Sequence, residues 1–421
     1  VSDRDPGPQQ DSTQTTEAAA RQRADNTGRP SPRGSIGWSV AAAFTVTAAF
    51  GVSNAPTPLY GHWQDAWGFG DGVLTVVFGV YMLGLALALA VGGPSADRYG
   101  RKAVLLPGLA ASALSCVLFV FAGGIGWLLV ARLAAGLGAG AAITAGMAAA
   151  VDLAGAEHRR AGALFASTAM VIGAGLGPLI AGGIIQSGVG QPQTPVFVST
   201  LAIVAVALVI AFRLPLTPPG SQSGPRPRFR WPTVPRLNRG DLARGLTTYG
   251  PGLTITSLVL SLGPTILSRL LEESRALLAG VIVCVMFLAA AAVQFALARL
   301  SVLNLLALSS VCAIASMAAL AVSVTLTPSV LVFFLAAVLG GAAQGLGQLA
   351  GLTLLSLHVP ATRRAEANAA LNISAFLSAA LISVLTGYAS DLTGLRHAVE
   401  LFAAVLAAFA SISLVVVRRR V

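Results

Sequence analysis

Twelve apolar runs, each long enough to cross a bilayer, constrain this chain more than any other feature. A helix needs about 20 mostly apolar residues to span a hydrocarbon core of about 30 Å. Such runs lie near 37–59, 72–93, 103–123, 125–150, 161–186 and 195–213, and again near 246–268, 276–298, 302–323, 328–356, 365–388 and 397–417. Between the sixth and seventh, residues 214–245 are rich in Pro, Gly and Arg and read as a cytoplasmic linker. The division is therefore a six-helix bundle over 36–213, the linker, and a second six-helix bundle over 246–417. Residues 1–35 read as a disordered polar tail and 418–421 as a short basic one. Composition selects helices over a barrel. Hydrophobic residues make up 55% of the chain, charged residues 10% and aromatics only 6%. Small residues suit close helix contact in lipid, whereas an outer-membrane barrel needs alternating segments and aromatic girdles. The expected fold class is all-α integral membrane, with twelve transmembrane helices as two six-helix pseudo-repeats.

The net charge of +11 would suggest nucleic acid for a soluble protein, but its location argues otherwise. With the N-terminus inside, 23 of the 27 Lys and Arg fall in the tail, in alternate loops, in the linker and at the C-terminus. The outward loops hold only Arg269, Arg275 and Arg396. This is the positive-inside pattern, so both termini are expected in the cytoplasm and no nucleic-acid partner is implied. The first 35 residues lead into a full-length span, which argues against a cleaved signal. Cys116, Cys284 and Cys312 all lie in apolar runs and are odd in number, so no disulfide framework is expected. Twenty-six Arg against one Lys, with abundant Ala and Gly, points to a GC-rich bacterial source and a plasma-membrane location.

The halves look like diverged copies. At an offset of 204, Arg159, Arg160 and Ala161 align with Arg363, Arg364 and Ala365, and Gly136 aligns with Gly340. The same offset places Asp97 on Ser301, Gly100 on Asn304 and Arg101 on Leu305. The stretch GGPSADRYGRKAVL at 92–105 thus concentrates Asp97, Arg98, Arg101 and Lys102 with no charged counterpart in the second half. A loop that only sets orientation needs neither Asp97 nor Gly100. Gly93 would let helices approach, Gly100 would permit a tight turn, and the cations could bond helix ends and carboxylates.

On these residues the sequence resembles the major facilitator superfamily across 36–417. Gly93, Asp97, Arg98, Gly100, Arg101 and Lys102 match its signature between the second and third helices, G-x-x-x-D-R-x-G-R-K. The resemblance implies a charge network that holds the two halves together in an outward-open state, with Asp152 as the partner of Arg101. In WLLVARLAAGLGAG, Arg132 sits about seven residues into the fourth span, roughly 10 Å at 1.5 Å per residue. An Arg there costs about 2.5–3.5 kcal/mol on insertion scales, so it should face a cavity or a partner, or else snorkel outward. It resembles the helix-four arginine motif, which implies a part in proton coupling. In the fifth span, Gly173, Gly177, Pro178 and Gly182 resemble the antiporter signature g-x-x-x-G-P-x-x-G-G, with Ala181 replacing one Gly. That likeness points toward the drug:proton antiporter branch.

Polar residues in spans one, four, seven and ten would line a central cavity in this fold. Candidates are Thr45, Thr47, Asn54, Ser257, Ser261, Gln344 and Gln348, with Asn368 and Asn372 in span eleven. The first span contains no carboxylate, and Asp65 and Asp71 fall in the first outer loop. Coupling through an acid in the first helix is therefore not expected. The function expected is secondary transport of a small organic solute by alternating access, as proton-coupled efflux. An importer or uniporter of a small metabolite is the alternative, and a transport-inactive receptor or membrane enzyme a third class. No nucleotide-binding, H-E-x-x-H or G-x-S-x-G stretch occurs, so neither enzyme chemistry nor a metal or other cofactor is implied. The expected partners are the solute, protons and the bilayer, with the chain acting as a monomer.

Overall fold

The computed structural model describes residues 35–216, 232–273, 275–326, 328–360 and 363–418. Most of the expected N-terminal tail, the middle of the linker and the last basic residues lie outside the described residues. Eleven helices among the described residues are long and apolar enough to cross a membrane, and a bent pair makes a twelfth span. In chain order these are α1 (Ile36–Trp67), α2 (Asp71–Tyr99), α3 (Arg101–Val120), α4 (Ile125–Ala154), α5 (Arg159–Gln186) and α6 (Gln193–Arg213), then α7 (Arg236–Ser261 followed by Gly263–Leu270). They continue with α8 (Ala276–Ala296), α9 (Val302–Thr325), α10 (Val330–His358), α11 (Arg364–Thr393) and α12 (Leu395–Val415). One end of the bundle carries the 97–102 motif and the end of α6 at Arg213 and is called here the arginine-rich face; the other is the distal face.

Two features of α7 differ from the single run expected at 246–268. The helix begins at Arg236, inside the segment read as linker. Its polar first turns are anchored by Asp241, whose carboxylate lies 3.3 Å from Arg244 and 3.4 Å from His358 at the end of α10. At the distal end it bends by 58° between Ser261 and Gly263. Pro264 has no N–H to donate and its ring crowds the carbonyl four residues back, so the ladder breaks there. The short distal arm then carries Thr265 and Arg269 toward the first half.

The pseudo-repeat is visible in how glycines seat helices against each other. A Cβ at Gly136 would meet the Tyr81 carbonyl of α2, and one at Gly140 the Leu85 carbonyl. In the second half, Gly341 and Gly345 of α10 meet the Met286 and Ala290 carbonyls of α8 in the same way. The equivalent of Gly136 is therefore Gly341, 205 residues later, and not Gly340 as the sequence offset suggested. A single π-helical turn at Ala142–Gly146 accounts for the change of register. Such a turn accommodates one extra residue in the helix, so the offset is 205 before it and 204 after it, where Arg159 and Arg160 align with Arg363 and Arg364.

The halves, α1–α6 and α7–α12, meet chiefly through α2 against α11 and α5 against α8. Close approach by glycines along the seams runs from their distal ends to Gly175 against Cys284, near the middle of α5 and α8. Gly387 of α11 meets Asp71 and Thr75, while Gly182 and Pro178 of α5 meet Ala276 and Gly280 of α8.

Candidate functional site

A cavity of about 290 Å³ lies between the halves, near the lower end of the size range of ligand pockets. Its wall is divided by chemistry. The first half contributes mainly apolar side chains, among them Phe50, Phe78, Tyr81, Met82 and Met147, with Asn54 and Ser167 as polar exceptions. The second half contributes Thr256, Ser257, Gln294, Gln344, Gln348 and Asn372 beside apolar residues such as Leu253 and Phe376. No carboxylate, histidine, lysine or arginine is among the lining residues described. The π-helical turn of α4 helps shape the first wall, since Ile143 lies within it and Met147 directly follows.

Asn54, Ser257, Gln344 and Gln348, expected at the cavity, line it. Ser261 does not: it is fully buried and donates back to the Ser257 carbonyl at 2.8 Å. Thr45 and Thr47 also turn away, donating to the Ala42 carbonyl at 2.6 Å and the Ala169 carbonyl at 3.0 Å. Asn372 reaches the cavity, whereas Asn368 has its side-chain oxygen buried without a partner. Sequence reasoning missed Gln294 and Thr256. Gln294 had a signal, being the one amide in the otherwise apolar α8.

Arg132 neither snorkels nor lines the cavity. It is 1% exposed, donates from Nη1 to the Ser53 carbonyl, and leaves Nε without a partner. Its guanidinium carbon lies 4.4 Å from the ring centre of Tyr81, 5.3 Å from Phe78 and 6.0 Å from Tyr60. The rings offer their negative faces to the cation and so replace the carboxylate that the membrane interior lacks. Tyr81 and Phe78 also line the cavity, so the charge sits directly behind that wall.

At the arginine-rich face, Gly100 adopts φ +93°, a conformation that favours glycine, and α3 starts one residue later. Arg101 lies 3.5 Å from Asp97 and 3.3 Å from Asp152. Lys102 donates to the Phe212 carbonyl at the end of α6 at 2.6 Å, a favourable place for a cation. Arg98 stacks over Tyr99 at 5.1 Å. All these partners belong to the first half, so among the described residues the motif makes no bond that joins the halves in this conformation. Gly93 also departs from expectation: a Cβ there would meet nothing within 4 Å, and the close approach is at Gly92, against Thr144.

The halves are instead joined at the distal face. Asp71 was expected in a loop; it is the first residue of α2 and is 2% exposed. Its carboxylate accepts from Gln64 at 2.8 Å, from Ser390 of α11 at 2.7 Å and from Arg269 of α7 at 3.3 Å. Asp391 of α11 accepts the Asp71 and Gly72 backbone N–H groups at 2.8 and 2.9 Å, capping α2 from the other half. Thr265 donates to Gln64 at 3.1 Å. Just beyond, Arg275 chelates Glu273 at 2.8 and 2.6 Å and holds its carboxyl down at about 2. Among the described residues, every hydrogen bond or ion pair between the halves belongs to this distal network, apart from a weak Ser257–Met82 contact at 3.9 Å beside the cavity.

The glycine-rich run of α5 serves two neighbours. Gly173 and Gly177 seat on α1 at Thr47 and Gly51, while Pro178 and Gly182 seat on α8 across the halves. No group of three or more His, Cys, Asp or Glu able to hold a metal occurs among the described residues.

A sequence profile of the Major Facilitator Superfamily matches residues 40–326. A triacylglyceride transporter of Mycolicibacterium smegmatis is 30% identical over 143 residues, covering 34% of this chain and 25% of the relative. One from Mycolicibacterium hassiacum is 31% identical over 182 residues, covering 42% of this chain and 32% of the relative. The match thus spans only about a quarter and a third of those relatives' length. Similar solved structures include a POT family transporter in complex with a thioalcohol conjugated peptide, with TM-score 0.72 and 13% identity over 90% of this chain and 95% of that one. Others are the nucleoside transporter NupG, at 0.67 and 14% over 90% and 98%, and the xylose transporter XylE from E. coli in a partially occluded inward-open conformation, at 0.68 and 14% over 90% and 98%. At such identities these likenesses concern the fold alone, but the profile covers most of the sequence, and the chain belongs to the Major Facilitator Superfamily.

Proposed function

We propose that the chain is a secondary transporter that exports a small, largely apolar organic solute across a bacterial plasma membrane, coupled to protons and acting as a monomer. The observation that carries this reading is the position of the cavity between two halves that are bonded at the distal face and unbonded at the arginine-rich face among the described residues. Alternating access needs such an asymmetry, reversed when the halves rock about a central site. The positive-inside rule supports the arginine-rich face, and with it both termini, as cytoplasmic, which makes this conformation inward-facing. The apolar first wall and the triacylglyceride transporters among the relatives favour a lipophilic solute over a sugar or peptide. The buried Arg132 and the α5 motif favour the drug:proton antiporter branch.

A second reading, facilitated movement without coupling, draws on the absence of any carboxylate or histidine from the described cavity lining. Efflux of the neutral dye Nile red from cells expressing the chain separates the two. Coupled export predicts faster efflux that a protonophore abolishes. Unchanged efflux on expression contradicts export, and accelerated efflux insensitive to the protonophore selects facilitation.

A further inference from the structure

We propose that the cavity selects a neutral amphiphile whose hydrogen-bonding head docks on the second half and whose apolar body lies against the first. The proposal deepens the transport reading and rests on it only in taking this cavity as the solute site. The argument begins with the amides. Gln294 donates to Gln348 at 3.1 Å, and Gln344 lies 2.6 Å from the Thr256 hydroxyl. An amide has two N–H donors and an oxygen with two acceptor positions, so one bond each leaves capacity uncommitted on all three glutamines. Gln344 and Gln348 are one helical turn apart on α10 and both line the cavity. Thr256 fixes one of these amides and Gln294 the other, which holds them ready for a head group containing both acceptors and donors.

Nothing on this wall suits a charged head. An ion leaving water would find no opposite charge among the described lining residues, and burial of an unpaired ion is far more costly than burial of an ester or hydroxyl that keeps its hydrogen bonds. Arg132 does not change this for an anion, because Tyr81 and Phe78 lie between it and the cavity and its one bond goes to the Ser53 carbonyl. For a cation, the same charge is repulsive. The opposite wall, with Phe78, Met82, Ile143, Met147 and Met170, offers apolar surface, and methionines adapt to chains of different shape.

The test uses the full chain in nanodiscs, empty nanodiscs as background, and three probes with similar apolar chains: 1-octanoylglycerol, octanoate and octyltrimethylammonium. Tritiated 1-octanoylglycerol should bind saturably, at least tenfold tighter than either charged probe competes. Gln344→Leu with Gln348→Leu should weaken the neutral probe about tenfold, while Met147→Ala should weaken all three without changing their order. Should the double variant fail to fold, Gln348→Glu places a carboxylate on the same wall and should raise affinity for octyltrimethylammonium. No saturable binding of the neutral probe, equal or tighter binding of a charged one, an unchanged neutral-probe affinity in the folded double variant, or no gain in octyltrimethylammonium affinity in Gln348→Glu would overturn the proposal. Binding needs no gradient, so failed Nile red efflux with intact selectivity counts against export alone.

Discussion

Replacing Asp71 by Asn should release the distal seal. Asp71 is nearly inaccessible, and its carboxylate accepts from two side chains of the other half, Ser390 at 2.7 Å and Arg269 at 3.3 Å. Asn keeps the shape but loses the charge, and turns an N–H₂ toward groups that are themselves donors. A buried hydrogen bond to a charged group contributes about 1.5–3 kcal/mol. Arg269 is half exposed, so its share is screened to about 1 kcal/mol or less. The Asp391 cap on the α2 N-terminus is made to backbone N–H groups and survives the change. A net loss of about 2 kcal/mol would shift the ratio of distal-open to distal-closed molecules roughly 30-fold, at 1.4 kcal/mol per tenfold. The readout is Met147→Cys, at the cavity wall, in a background where Cys116, Cys284 and Cys312 are replaced by Ser. An impermeant maleimide added from the distal side should label it about 30-fold faster in Asp71→Asn. An unchanged distal labelling rate in folded protein would refute the idea that this network holds the distal face shut.

Arg132→Ala should abolish Nile red efflux driven by a pH gradient while leaving insertion intact, whereas Arg132→Lys keeps a cation against the Tyr81 ring and should retain part of the rate. Full efflux in Arg132→Ala would remove the coupling role. Gly136→Ala should destabilise the protein by about 1–3 kcal/mol, because its methyl would press on the Tyr81 carbonyl, but Gly93→Ala should be neutral in thermal unfolding. Equal melting temperatures for the two variants would show that glycine seating of α4 on α2 is unimportant. A reporter fused within 217–231 should be cytoplasmic and one fused at Asp65 external; finding both on one side would overturn the charge-based orientation.

The architecture was readable because lipid leaves few alternatives: a backbone that cannot bond to water forms helices, and the length of each apolar run sets a span. The lining positions of Asn54, Ser257, Gln344 and Gln348 were readable for a related reason, since polar side chains inside spans need a wet or bonded neighbour. Ser261 and Thr45 followed the same logic and misled, because short hydroxyl side chains can bond to their own helix and need no cavity. The distal network could not be read locally. Asp71 and Asp391 are 320 residues apart, and only the crossing of α2 with α11 brings them together. The Pro264 bend that delivers Arg269 lies inside a run that hydropathy treats as continuous. The surroundings of Arg132 could not be read because its partners are aromatic rings, which a search for opposite charge overlooks.

Alternating access is tested most directly by measuring both faces at once in lipid nanodiscs. One spin-label pair would sit at Asp65 and Leu392, exposed across the distal seam, and another at Glu157 and Leu300, exposed at the arginine-rich face. On introduction of Asp71→Asn, the distal pair should gain a longer-distance population while the arginine-rich pair gains a shorter one of matching weight. Distances that stay fixed at both faces, or that lengthen at both together, would contradict the account.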